Sequence, residues 1–388
     1  MENKEFIQSQ SSKSCHSEQS EGSTNVKRSF VAKAPQDDKK NTYAVLLVNF
    51  GGPDSLSSVK PFLYNLFSDP TVLNIPFINL NSKLSTIGYQ LSALYRKPLA
   101  WLISNMRNNA SKEMYKKVGG ISPLIPLTYL QAQNLQMLFN RNELPIDVYT
   151  GFRYSKPFME GVLDEMVDLG YKKIVVLPLY PQYSYTTTGS TWLILNNWIK
   201  KNKKYASNIY FISNWFSDED YIESYSSLIK NSLERLDLRS TELIFSAHSI
   251  PIVNIKNGDP YEKQIKQSVE LIINKLDWKR KFHIRYQSKL GPVKWLEPGT
   301  DKVIEEIAKK NKNTNILVVP ISFVCEHVET IYEIGIFYKE LAKSLGIKRF
   351  ARVPALNTNK YLIQALYNQV VDCLRNNQID VRDLITAK

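Results

Sequence analysis

Glu326-His327-Val328-Glu329 puts two carboxylates and an imidazole directly after the apolar run Ile316 to Phe323. That run reads as a buried strand, and ionisable groups at its end are costly to fold unless charge is wanted there. Glu326, Glu329 and Glu333 stand at i, i+3 and i+7, so a regular helix would stack them on one face. His327 and Glu329 are only two apart. A regular helix cannot aim both at one pocket; an extended or distorted backbone can. Taken alone, the stretch also fits a solvated helix N-terminus, where Glu is favoured by the dipole. A second histidine, His248, lies in Phe245-Ser246-Ala247-His248-Ser249-Ile250-Pro251, again at the end of an apolar run. His248 with Glu329 offers one imidazole and one carboxylate. Both suit Fe(II), and so few protein ligands leave positions open for exchange. The same two groups could instead remove protons from a substrate.

Other chemistries fit less well. There is no GxxxxGK[ST] phosphate loop, and Gly51-Gly52 lacks the third glycine of a dinucleotide fingerprint. His327-x-Glu329 resembles half of a zinc-deaminase signature, but no Pro-Cys-x-x-Cys follows. No GxSxG elbow is present, and Ser246 is too near His248 in sequence to suggest a triad.

The elements that must position these groups alternate strand, loop and helix. Strands are expected at Tyr43 to Asn49, Ile146 to Phe152, Lys173 to Leu179, Asn208 to Ser213, Glu242 to Ala247, Phe282 to Gln287, Ile316 to Phe323 and Arg349 to Pro354. Helices are expected near Leu56 to Phe67, Pro157 to Leu169, Thr186 to Trp198 and Tyr361 to Leu374. This grammar implies an α/β protein of two Rossmann-like, doubly wound domains, each with a parallel four-stranded sheet, around a central cleft. Ligands in such sheets sit at the carboxyl ends of the strands. Asn49, Arg153, Tyr154, Tyr180, His248, Gln287 and His327 all fall there. The expected domains are 43–205 and 206–388. Residues 1–42, polar and poor in apolar side chains, are expected to be a disordered tail. Leu73 to Met106 is rich in Ile, Leu, Tyr and Trp and carries three charges, Lys83, Arg96 and Lys97. It reads as core helix or as an exposed apolar lip, and its Asn, Ser and Pro interruptions favour the lip.

Composition is globular: 43% of the 388 residues are hydrophobic and 22% charged, with a net charge of +13. The tail is nearly balanced, so the excess belongs to the body. It would suit an anionic small molecule or an anionic membrane. No nucleic-acid signature accompanies it, and no nucleic-acid partner is expected. Cys15, Cys325 and Cys373 have no paired spacing, which predicts neither a disulfide framework nor a CxxC metal site and makes a reducing compartment the default. No run approaches about 18 uninterrupted apolar residues, so no transmembrane helix is expected.

Set in order, LLVNFGGPDSL, FLYNLFSDP, GGISPL, GFRYSKPF, LPLYPQYSYTTTGS, FSAHSIP, GDPY, YQSKLGPVKWLEP, VPISFVCEHVET and RVPALN make residues 43 to 375 resemble the ferrochelatase family. The resemblance implies insertion of Fe(II) into protoporphyrin IX, with release of two protons, as the last step of haem synthesis. A coproporphyrin III substrate and a non-catalytic haem-binding role are the alternatives. By position, the resemblance makes His248 and Glu329 the catalytic and metal-binding pair. It gives Arg107, Tyr115, Ser122, Arg153, Tyr154 and Trp295 to the porphyrin, and Glu326, His327 and Glu333 to a polar path leading away from Glu329. Gly335 and Phe337 stand where the family often has acids. The family's C-terminal cysteine cluster has no counterpart, so no [2Fe–2S] centre and no cofactor beyond substrate iron are expected. A cytoplasmic monomer or homodimer, peripheral to the inner membrane, completes the expectation.

Overall fold

The structure, a computed structural model, describes residues 42–73, 85–289 and 293–379. The tail expected over residues 1–42 therefore lies almost wholly outside the described residues.

Two four-stranded parallel sheets form the frame. The first contains β1 (Tyr43–Asn49), β2 (Ile146–Phe152), β3 (Lys173–Pro178) and β4 (Ile209–Phe211) in the order β2-β1-β3-β4. The second contains β5 (Thr241–His248), β6 (Phe282–Gln287), β7 (Asn315–Pro320) and β8 (Phe350–Arg352) in the order β6-β5-β7-β8. The two orders are the same, so the chain repeats one winding. In each sheet the first strand pairs on both sides, which puts the reversal of winding, and the ligand crevice of such folds, at the ends of β1 and β5. β4 pairs with β3, so the division expected at 205/206 falls inside the first sheet.

The strands are continuous apolar runs because both faces of each sheet are covered. Alternation along β1 sends Val45 and Leu47 to one side and Ala44, Leu46 and Val48 to the other. The first side shares a core with Leu243, Phe245, Leu317 and Val319 of the second sheet. Helices α3 (Leu124–Arg141), α6 (Glu219–Leu233), α8 (Tyr261–Leu276) and α11 (Lys360–Asn376) contribute Leu135, Tyr225, Ile265 and Leu366 to that core. The outer faces are covered by α4 (Met159–Asp168) and α5 (Thr188–Lys201) on one lobe, and by α9 (Thr300–Lys310) with a π-helix, Glu329–Tyr338, on the other. The π-helix continues into α10 (Lys339–Ser344), and a short α7 (Ile252–Lys256) follows β5. α11 crosses back onto α3 and α6, tying the lobes together.

A fourth core lies beside the strand ends. It joins α1 (Val59–Phe67) and α2 (Ser85–Lys117) to Tyr154 and Val328. α2 runs through Pro98 without a break. Its outer side exposes Tyr95 at 71%, Trp101 at 57%, Leu102 at 49% and Met106 at 74%, the lip expected from the sequence. Leu73 is half-buried, residues 74–84 lie outside the described residues, and among those described no helix is long and apolar enough to cross a membrane.

Candidate active site

His248 is the last residue of β5, opposite Gln287 of β6. Its amide donates to Ser322 Oγ at 2.9 Å, and its carbonyl accepts from the Tyr261 hydroxyl at 3.0 Å. The ring is aimed by Nδ1, 2.6 Å from the Ser249 carbonyl. A carbonyl only accepts, so Nδ1 carries the proton, and in the neutral ring Nε2 keeps its lone pair. That is the tautomer a metal or a departing proton needs.

Glu329 arrives from β7 by a turn that other elements hold. The Tyr221 and Tyr225 hydroxyls of α6 donate to the carbonyls of Ile321 and Pro320, at 3.2 and 2.8 Å. Asn357, in the left-handed region at φ 49°, accepts the Glu326 amide at 2.9 Å and donates its own amide to the Val324 carbonyl at 2.8 Å. Left-handed backbone suits asparagine better than most residues. From the first lobe, Gln131 of α3 donates to the Asn357 carbonyl at 2.7 Å. The turn is thereby pinned from three directions.

The expected stack of three acids on one helical face does not form. The helix begins at Glu329 and is a π-helix, so Glu326 lies before it. Its carboxylate turns back to Arg352 at 2.7 Å, the Ala355 amide at 3.0 Å and the Thr330 hydroxyl. Glu333 accepts from the Ser288 amide and Tyr338 hydroxyl at 2.9 and 3.1 Å, from Gln287 Nε2 at 3.3 Å and from the Ser288 hydroxyl. Glu329 is left as the carboxylate that faces the histidines. His327, buried, contacts it through Nδ1, and Phe323 stands between the imidazoles with its centroid 4.2 Å from His327 and 6.1 Å from His248. His327 Nδ1 also lies 3.1 Å from the Glu329 amide. One nitrogen cannot donate to the carboxylate and accept from the amide at once; protonated it does the first, deprotonated the second. Burial alone would raise the Glu329 pKa. The His327 imidazole, by charge and hydrogen bond, and then the His248 imidazole hold it well below the usual carboxylate range instead. His248 and Glu329 come from the ends of different strands, β5 and β7, and the His248 charge bears on the Glu329 carboxylate.

The remaining expected residues surround this pair unevenly. Tyr115, at the end of α2, is buried; burial and then the Glu329 charge push its phenol well above the usual range, so it stays a donor. Arg107 is half-buried, with burial lowering its pKa and no carboxylate partner among the described residues. Ser122 is buried, and its amide donates to the Pro53 carbonyl at 2.8 Å. A Cβ on Gly52 would stand 2.5 Å from the Ser122 side chain, so the loop after β1 takes a glycine at this position. Trp295 bridges to Pro251, just beyond His248. Arg153 and Tyr154, which the resemblance gives to the porphyrin, are engaged with Asp69. Both are buried and turn their polar ends to Asp69, at 2.9 and 2.8 Å, beside Ser190. Asp69 sits in the FLYNLFSDP motif, but nothing in that motif names its partners 84 and 85 residues away. No cluster of three or more His, Cys, Asp or Glu that could hold a metal occurs among the described residues.

Two parallel sheets in one winding, with His248 ending β5 and Glu329 following β7, define a two-lobed α/β fold with an imidazole and a carboxylate at the strand ends of its second sheet. SirB from Bacillus subtilis with Fe3+ has this fold, with a TM-score of 0.50 at 11% identity over 88% of this chain and 99% of that one. The ferrochelatase family model matches residues 42–373. A ferrochelatase of Trichodesmium erythraeum is 40% identical over 347 residues, 89% of this chain and 86% of its relative. One from Gloeobacter violaceus is 38% identical over 333 residues, 85% of this chain and 97% of its relative. The chain belongs to the ferrochelatase family, metal-inserting enzymes of haem synthesis.

Proposed function

We propose that the chain is a lyase that inserts Fe(II) into protoporphyrin IX, releasing both pyrrole protons. What supports the reading is His248 at the end of β5, its Nδ1 engaged by the Ser249 carbonyl so that Nε2 keeps its lone pair, with Glu329 following β7 and held ionised. A carboxylate with a depressed pKa is a weak base and a good partner for a cation, so Glu329 takes the metal's charge. His248 Nε2, left with its lone pair by the Nδ1 contact to Ser249, accepts the pyrrole protons and passes them to solvent. Iron here is substrate: two N–H bonds break, two Fe–N bonds form in their place, and two more nitrogens donate lone pairs.

Arg107 fits a propionate, because a half-buried guanidinium regains by ion pairing what burial costs it. Tyr115 and Ser122 add neutral donors, and Trp295 an aromatic face. The exposed apolar side chains of α2, with Lys60 5.9 Å from the Trp101 ring, support contact with an anionic membrane surface and favour a greasy dicarboxylate over a tetracarboxylate. Burial pushes the thiols of Cys325 and Cys373 up to about 12 and about 11, which makes them poor thiolate ligands and supports catalysis without an iron–sulfur cluster. A cytoplasmic enzyme peripheral to the inner membrane fits these features.

The test is anaerobic chelation of Fe(II), or Zn(II), with protoporphyrin IX and coproporphyrin III side by side. Metalloporphyrin absorbance should grow faster with protoporphyrin. Faster growth with coproporphyrin would overturn the substrate, and binding of haem without chelation of either would overturn the catalytic reading.

A further inference from the structure

Gln287, the last residue of β6, touches both halves of the proposed pair. Its backbone carbonyl accepts the Ser249 amide at 2.8 Å, and Ser249 supplies the carbonyl that aims the His248 ring. Its side-chain Nε2 donates to the Glu329 carbonyl at 3.4 Å and to Glu333 Oε2 at 3.3 Å. Its Oε1 accepts from the Ser246 hydroxyl at 2.5 Å. The orientation of the amide is dictated chemically. A carbonyl and a carboxylate can only accept, so the nitrogen must face the π-helix and the oxygen the hydroxyl. The residue is 1% exposed, so water cannot replace these bonds.

We propose that Gln287 is a positioning residue that sets the spacing between His248 Nε2 and the Glu329 carboxylate. No other described residue is seen to join the Ser249 amide, the Glu329 carbonyl and Glu333 in one side chain and its own backbone. The first bond fixes the imidazole's anchor; the others fix the first turn of the π-helix, from which the Glu329 side chain leaves. A shift there moves the carboxylate relative to the imidazole without touching the residues given to the propionates. The loss therefore belongs in turnover, because misplaced groups cost far more in the reaction than in binding.

This rests on the pair assigned above, and the experiment separates the two. Wild type, Gln287→Met, Ser246→Ala and Glu329→Ala are compared in Zn(II) chelation of protoporphyrin IX, with rates divided by porphyrin-binding sites titrated by fluorescence. Gln287→Met keeps the volume and removes the hydrogen bonds; turnover per site should fall at least tenfold, with the porphyrin KM within about twofold of wild type. Ser246→Ala removes the group that faces Oε1 and leaves the β6 backbone alone; it should lower turnover about threefold, and it decides the matter if the methionine variant does not fold. Wild-type turnover per site in Gln287→Met, or in Ser246→Ala when that variant stands alone, would overturn the positioning role. Full activity in Glu329→Ala would overturn the underlying pair instead. A variant that merely loses stability would lower the number of sites and keep the rate per site, which also counts against the proposal.

Discussion

Asp69→Asn should destabilise the protein by an amount the structure sets. Asp69 and Arg153 form an ion pair with side chains 3% and 7% exposed. Oδ1 accepts from the Thr71 amide and hydroxyl, at 2.8 and 2.6 Å; Oδ2 accepts from Arg153, Tyr154 and Ser190 at 2.9, 2.8 and 2.5 Å. Asparagine keeps the shape and can keep the Thr71 bonds, but its NH2 then faces three donors and leaves a buried guanidinium unpaired. Breaking a buried pair this way costs about 3–5 kcal/mol. At roughly 2 °C per kcal/mol for a chain of this size, the thermal midpoint at pH 7 should fall by about 6–10 °C. Asp69→Asn with Arg153→Met removes the orphaned charge as well and should recover about half of the loss. The acid limb carries a sign. Burial would raise the Asp69 pKa, but the Arg153 charge and then the Ser190 and Thr71 bonds bring it below its ordinary value. A lowered folded pKa gives stability that is full above the unfolded value, about 4, and lost as pH falls through the folded one. The gap between wild type and Asp69→Asn, read by scanning fluorimetry, should therefore narrow below about pH 4. A midpoint shift under about 2 °C at pH 7, or a gap that widens in acid, would refute the reasoning.

Three further outcomes concern the site and its rim. Glu329→Ala should lower turnover by about 10²–10⁴ while porphyrin still binds in a fluorescence titration, since the cation's partner is lost and the propionate donors remain. Arg107→Ala should raise the KM for protoporphyrin about tenfold and leave kcat near wild type, as expected for one charge-assisted bond made equally in ground and transition states. Trp101→Glu combined with Met106→Glu should cut co-sedimentation with anionic vesicles by about a hundredfold, on about 1.5 kcal/mol or more per apolar side chain withdrawn from the interface, without changing the rate on detergent-dispersed porphyrin.

Much of the frame was legible because buried parallel strands announce themselves. Tyr43 to Asn49 is apolar on both faces, and its limits fall where the structure has them. The lip was legible for the opposite reason, an excess of large apolar side chains among too few charges, although Pro98 and the polar interruptions concealed that much of it is one helix. The division of the chain was less legible. A three-residue edge strand, β4, belongs to the first sheet by a pairing that its own sequence cannot express. The partner of Arg153 was hidden by the same limit: an arginine at a strand end does not announce the buried aspartate beside it, which lies 84 residues earlier.

The acids of the opening stretch show where pattern reading stops. Their spacing is that of a regular helical face, yet a side chain points where its backbone and its donors send it. Glu326 is bound by Arg352 and the Ala355 amide, and Glu333 by Ser288, Gln287 and Tyr338. A carboxylate satisfied by three or four donors neither needs a metal nor releases its charge to one. Glu329 differs because its partner is an imidazole, which can surrender the contact by losing a proton. The distinction between the pinned acids and Glu329 therefore rests on hydrogen-bond donors that come from β6, β8, their following loops and the π-helix itself. The same partners explain why Gly335, where the resemblance leads one to expect an acid, leaves no gap in the site: a Cβ there would meet Arg352 Nε at 3.5 Å, and that guanidinium is already committed to Glu326.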